Sequence, residues 1–293
     1  MKSNNVSKKR FNNRTHFFRY LGFEGALATI QTSSVRLTSV FPGNLNDPND
    51  LNFLKKVPFT SHELQLAVAY EIAFSLLDGR IPSIMQKSGR LGPSVKPPKI
   101  RKGTTLEEMV NESMSDIKFN IEHKGHYDKL TSKTNQEFID FFEDHFLLCL
   151  TTSAQNSRMW ERYADDYQGA VIRFECLRGN SFLAAQKVNY SDTPPTFGTR
   201  EEWLSLIQGG TGIDHRRLYQ KYITWKGREW EYEDEWRIIL PSEKDKGKVY
   251  TYYNVAHDEI SEIYLGKNMI KSNKEMICST AIRLFPKVKI VGL

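Results

Sequence analysis

The chain has no apolar run approaching the roughly 18 residues that a membrane helix needs. Its first residues, MKSNNVSKKRFNNR, lack the apolar core of a secretory signal. Cysteine is scarce. Cys149, Cys176 and Cys278 each sit in an apolar stretch, with no close pairing. That excludes a disulfide framework and leads us to expect reduced, buried thiols in a cytoplasmic protein that does not engage a membrane. Phosphate-loop patterns are missing too. There is neither G-x-x-x-x-G-K-[ST] nor G-x-G-x-x-G, and no basic residue is poised after the polar turn of Gly209, Gly210 and Gly212. No G-x-S-x-G elbow supports a hydrolase triad. The seven histidines are scattered. His123 with His126, and His145 with Cys149, have ligand-like spacing but no second pair, so no metal centre is expected.

Acid is missing from two segments. Residues 1–19 and 86–103 each hold six Lys or Arg and no Asp or Glu. Take those twelve away and 29 basic residues face 35 acidic ones. Two basic stretches are thus attached to a mildly acidic body, although the whole chain carries +6. Such stretches attract polyanions, nucleic acid among them, or serve as solvated tail and loop. Neither has aromatics interleaved for base stacking.

Hydrophobic residues at 39% and aromatics at 12% of the 293 positions describe a globular chain with a sizeable core. We expect a basic tail (1–16) and a single α+β domain (17–293), with a helical insertion at about 60–145 that contains the basic loop 86–103. Strands are expected at 17–20, 35–39, 146–152, 169–175, 187–190, 249–253, 261–265 and 288–291. Helices are expected at 24–31, 156–165, 199–208, 214–222 and 269–285. Thr60 with Glu63, Thr105 with Glu108, and Thr134 with Glu137 are capping boxes that open three more. Strands and helices intermix without regular βα alternation, which favours a mixed sheet over a doubly wound parallel one.

The segment 225–240, WKGREWEYEDEWRIIL, is the richest in chemistry. Read as a strand, it projects Glu231, Glu233 and Glu235 from one face, with Arg237 beside them. Like charges there repel unless cations, hydrogen bonds or water answer them. Carboxylates at this spacing can also bind Mg²⁺ with a substrate phosphate, so a metal-dependent nuclease is one reading.

Four clusters repeat the order of a known family. They are Phe18-Arg19-Tyr20; Asn46-Asp47-Pro48; Thr151 to Ser153 followed by Met159-Trp160-Glu161-Arg162-Tyr163-Ala164 and Gly169; and Trp230, Glu233, Glu235-Trp236-Arg237 followed by Leu265-Gly266. In these the chain resembles the uncharacterised bacterial domain-of-unknown-function family twenty-nine seventy-one. It departs from the family in carrying Gln168 where a His is frequent. Glu231 has no counterpart in the family motif.

The opening, FFRYLGFEGALATIQTSSVRLTS, also resembles the start of ADP-ribosyltransferase-like folds, including nucleic-acid-modifying toxins. That likeness is at the level of the fold. It implies a mostly antiparallel sheet of that type and an NAD site built from an Arg, a Ser/Thr or Tyr, and a Glu. Carried onto this chain, it makes NAD the substrate and Glu235 the carboxylate that stabilises an oxocarbenium-like ribose. Glu233 becomes the group that orients or deprotonates the acceptor. Arg19 would grip phosphate or ribose, and Tyr20, Trp160 or Tyr163 would flank the nicotinamide. Thr151, Ser153, Asn46 and Asp47 complete the cofactor-binding set. The implied role is a bacterial toxin or phage-defence effector acting on a macromolecule, nucleic acid slightly ahead of protein, with a neutralising antitoxin or partner protein. The alternative is a non-enzymatic nucleotide or nucleic-acid binding module.

Overall fold

The computed structural model describes residues 13–40, 50, 60–82, 99–119, 132, 136, 140, 143–196, 198–207 and 214–292. In chain order its elements begin with β1 (His16–Leu21), α1 (Phe23–Thr32), β2 (Ser34–Ser39), α2 (Ser61–Leu77) and α3 (Leu106–Phe119). Then come β3 (His145–Leu150), α4 (Ser157–Tyr163), β4 (Ala170–Glu175), β5 (Gln186–Lys187), β6 (Asn189–Tyr190), α5 (Arg200–Ile207) and α6 (His215–Ile223). The series closes with β7 (Trp225–Lys226), β8 (Trp236–Pro241), β9 (Tyr250–Asn254), β10 (Ile260–Leu265), α7 (Lys271–Leu284) and β11 (Lys289–Gly292). The architecture is mixed α+β, as expected. Among the described residues no helix is long and apolar enough to cross a membrane.

Two compact units form. One gathers residues 1–52, 141–194 and 222–293, and the other 53–140 and 195–221. In the second unit, capping boxes set the helix starts. Thr60 Oγ1 accepts from Glu63 N at 3.2 Å, while Glu63 accepts from Thr60 N at 2.7 Å. Thr105 and Glu108 repeat the exchange at the head of α3. Ala69 and Ala73 of α2 then pack on Met109 and Val110 of α3. Of the helix expected after Thr134 only Gln136 and Asp140 are described, both helical, and most of the loop 86–103 lies outside the described residues.

The first unit carries the sheets. One runs β1-β4-β10-β11, antiparallel except for its last pair. The other runs β5-β8-β3-β2-β9 and is antiparallel throughout. Both sheets bury apolar faces in one core, where Phe17, Ile172 and Phe174 meet Phe146, Leu148 and Ile238. Ala26 and Ile30 of α1 and Ile277 and Ala281 of α7 join them. β1 alternates: Phe17 faces that core, while Phe18 and Tyr20 face a second one with Trp160 and Val171.

One bridge joins β1 to the end of β3. Phe18 N donates to Thr151 O at 2.8 Å, and Thr151 N returns the bond to Phe18 O at 2.8 Å. It brings the first strand and the Thr151 segment together. Glycine permits a second close approach: a Cβ on Gly169 would sit 2.1 Å from the Leu21 carbonyl oxygen. The glycine that follows the M-W-x-x-Y-A motif is therefore a packing requirement of β1 against the start of β4.

Two expectations need correction. Residues 225–240 do not make one strand. Only β7 and β8 are extended, and Arg228–Glu233 is a 3-10 turn closed by Asp234 at φ 41°. The ladder partner decides this, because β3 ends opposite Trp236 and cannot pair anything earlier. The left-handed conformation suits Asp, which tolerates it better than most residues. The cysteines are free, but they are not buried core. Cys176 and Cys278 are half-buried, and Cys149 is accessible.

Candidate functional site

Lys226 is the centre of a buried charge cluster. Its Nζ donates to Glu233 Oε2 at 2.5 Å and to Glu235 Oε2 at 2.9 Å. Arg237 closes on Glu235 from the other side, with Nε 2.8 Å from Oε1. The same guanidinium donates to the Ile223 carbonyl at 2.9 Å and forks onto Asp50 at 3.1 and 2.5 Å. Glu233 and Glu235 are each 3% exposed, and Arg237 is fully enclosed. Three carboxylates thus face two cations. Removing such ions from water costs several kcal/mol each, which only close pairing with satisfied hydrogen bonds offsets.

The turn explains how the two glutamates converge. Asp234 reverses the chain between them, and three hydroxyls hold the result. Thr151 Oγ1 donates to the Glu233 carbonyl at 2.6 Å, Tyr163 OH to Glu233 Oε1 at 2.6 Å, and Tyr190 OH accepts from Glu235 N at 2.8 Å. Their titration is pushed apart. Burial alone would raise Glu235, but Arg237 and Lys226 more than reverse this and hold it well below the usual carboxylate range. Burial raises Glu233, and Lys226 offsets only part of that. Lys226 would be lowered by burial, yet Glu235 and Glu233 keep it protonated.

Asp50, Lys226, Glu233 and Glu235 line a cavity of about 550 Å³ together with Arg19, Arg36 and Cys149. Arg19 Nη1 donates to the Arg36 carbonyl at 2.8 Å. Among the described residues neither arginine has a carboxylate partner. Burial brings the Arg19 pKa down to about 10, and the nearby Arg36 charge adds to that. Cys149 opens onto the cavity while protein surrounds it, so burial, with Glu235 alongside, pushes its thiol well up. In the sheet, β3 runs between β2 and β8. Arg36 therefore lies on one side of Cys149 and Arg237 on the other, about 10 Å apart at a strand spacing of about 4.8 Å. The wall is polarised, with arginines that lack a carboxylate partner among the described residues at one end and paired carboxylates at the other.

Six of the residues named from sequence meet at this cavity: Arg19, Tyr20, Thr151, Tyr163, Glu233 and Glu235. Tyr20 is a wall element. Its hydroxyl donates to Ser153 O at 2.9 Å and accepts from Asn156 N at 3.1 Å, and burial raises its pKa to about 12. Two of the named residues do not belong. Trp160 is 1% exposed, donates to Ala154 O at 2.8 Å and stacks on Tyr167, so it is core and unavailable to flank a ligand. Ser153 is exposed outside the cavity wall, its hydroxyl accepting from Gln155 N at 3.1 Å. Asn46 and Asp47 lie outside the described residues, as does most of the basic stretch 1–19. Glu231 is exposed.

Sequence reasoning missed Lys226, Arg36, Cys149 and Asp50. A signal existed for the first, since Lys226 stands at the head of a segment whose carboxylates repel one another.

Residues 159–238 match the family model described as Protein of unknown function (DUF2971). The matched stretch carries Tyr163, Lys226, Glu233, Glu235 and Arg237, while Arg19, Arg36 and Thr151 lie before it. No curated protein and no solved structure matches the chain, so neither comparison extends the likeness to ADP-ribosyltransferase folds.

Proposed function

We propose that the cavity is an NAD site and that the chain is an ADP-ribosyltransferase-like enzyme acting on a macromolecular acceptor. One observation carries this reading. Arg19, Thr151, Tyr163, Glu233 and Glu235, from three distant stretches of sequence, line one cavity of about 550 Å³. That size suits a ligand of a few dozen heavy atoms. Arg19 and Arg36, which lack carboxylates among the described residues, suit a pyrophosphate, and the carboxylate end suits ribose hydroxyls.

The chemistry divides between the two glutamates. The bond from ribose C1′ to the nicotinamide nitrogen breaks with its electron pair going to that nitrogen, whose positive charge is cancelled. Positive charge grows on the ribose, and Glu235, held ionised, stabilises it. The acceptor attacks C1′ and gives up a proton to Glu233, whose raised pKa suits it to that task. Tyr163 and Lys226 hold Glu233 in position.

The test is transfer of labelled ADP-ribose from NAD into cell lysate by wild type, Glu235→Gln and Glu233→Gln. Labelling by wild type, with a strong loss in both variants, is expected. Equal labelling by all three, or none by any at saturating NAD, would sink the reading.

A second reading, a nucleotide-binding module without turnover, draws on the Glu235 geometry. Both its oxygens are engaged by Arg237 and Lys226, which weakens its field on a ribose cation. NAD binding without transfer supports that alternative.

A further inference from the structure

Among the described residues β9 is the outer strand of its sheet. Its alternation divides it sharply. Thr251 and Tyr253 turn inward, whereas Tyr250 and Tyr252 are 47% and 58% exposed on the opposite face. The two exposed rings meet edge to face with centroids 5.8 Å apart. Arg36 pairs with Tyr252 in register, and its guanidinium lies 5.8 Å over the Tyr250 ring. Tyr250 and Arg36 also line the cavity, so the tyrosine face begins where the cavity opens.

The same face of the neighbouring strands presents Arg36, Thr38, Leu147 and Cys149 and no acid. A solvated strand face carrying two adjacent tyrosines and a guanidinium without a carboxylate partner among the described residues is built for a ligand that is both flat and anionic. Nucleobases stack on aromatic rings, and the phosphates between them pair with arginine. Bases inside a duplex are already stacked on one another, so single strands fit and duplexes do not.

We propose that this face binds single-stranded nucleic acid, with bases stacked on Tyr250 and Tyr252 and a phosphate on Arg36, and that the base nearest the cavity is the acceptor. The acceptor half rests on the NAD reading above. The binding half stands without it.

Fluorescence anisotropy with short labelled single-stranded DNA and RNA tests the binding half, and calorimetry with NAD tests the cavity separately. Wild type is expected to bind single strands more tightly than duplex, with affinity falling as salt rises. Tyr252→Ala should weaken oligonucleotide binding roughly 10-fold or more. Tyr252→Phe should retain it, because the ring remains. NAD binding should be unchanged in both variants, since Tyr252 does not line the cavity. Oligonucleotide binding lost in Tyr252→Ala, in a protein that binds no NAD, supports the platform and overturns the acceptor half. Equal oligonucleotide binding by wild type and Tyr252→Ala, no binding by wild type, or a preference for duplex overturns the proposal outright.

Discussion

Lys226 reaches Glu235 at 2.9 Å from a strand only two residues long, and the same nitrogen holds Glu233. One ammonium therefore neutralises two glutamates that would otherwise repel each other inside the protein. The cluster is a mutual dependency, in which each charge is tolerated only because the others are present.

Lys226→Met should destabilise the fold by about 3–5 kcal/mol, the usual cost of leaving a buried charge unpaired. Urea denaturation measures it. Adding Glu233→Gln and Glu235→Gln to the same chain should restore part of the loss, because the orphaned charges are gone. If Lys226→Met alone is neutral, Lys226 does not hold the pair.

Arg19 and Arg237 should behave oppositely. Arg237→Ala strands Asp50 and leaves Glu235 with Lys226 alone, and should unfold the protein or cost about 3–5 kcal/mol. Arg19 has no carboxylate partner among the described residues and is lowered by burial. Arg19→Ala should therefore leave the stability of the ligand-free protein within about 1 kcal/mol of wild type or raise it. It should weaken NAD binding roughly 10-fold or more, as expected when a charged hydrogen-bonding partner of an anion is removed. Thermal shifts with and without NAD separate the two effects. A large loss of stability in the ligand-free Arg19 variant would contradict this account.

Much of this arrangement was open to inspection in the chain itself. The paired capping residues Thr60 and Glu63 and the alternation in HFFRYL are local signals, and the structure follows them. The convergence of Arg19, Tyr163 and Glu235 was suggested by a recurring order of motifs. The turn at Asp234 was hidden, because its cause is non-local: strand β3 runs out of residues to pair with. Trp160 misled for a related reason. Its i to i+3 spacing with Tyr163 places both on one side of α4. Only the packing of Tyr20 and Tyr167 decides that the indole is sealed while the phenol reaches the cavity.

Acid should expose the role of Glu235. Its folded pKa lies below the usual range, while unfolded glutamate titrates near 4.3. Between the two values the unfolded chain binds a proton that the folded chain refuses, so stability rises with pH across that window. The contribution is complete above about pH 5 and fades as pH falls through the folded value. Urea midpoints between about pH 5 and 3 should decline more steeply in wild type than in Glu235→Gln. Other carboxylates titrate in both proteins, so the difference in slope reports Glu235. Identical slopes would remove the assignment.

Gly169→Ala tests the contact between β1 and the start of β4. The new methyl group would meet the Leu21 carbonyl at 2.1 Å, and backbone cannot step aside cheaply. A loss of about 1–3 kcal/mol or more is expected, read as a lower melting temperature. Gly292→Ala, where nothing lies within 4 Å, is the control.

β2 and β3 are hydrogen-bonded neighbours, with Thr38 opposite Leu147. Topologically, then, the whole of residues 40–144 is a hairpin connection. Closing a connection becomes costlier only with the logarithm of its length, about 0.6 kcal/mol per doubling. By the closure term alone the framework can accordingly accept a longer or shorter connection here, provided that Asp50, which pairs with Arg237 inside the cluster, is kept. The length of chain beyond Asp50 is thereby uncoupled from the charge cluster that Asp50 completes.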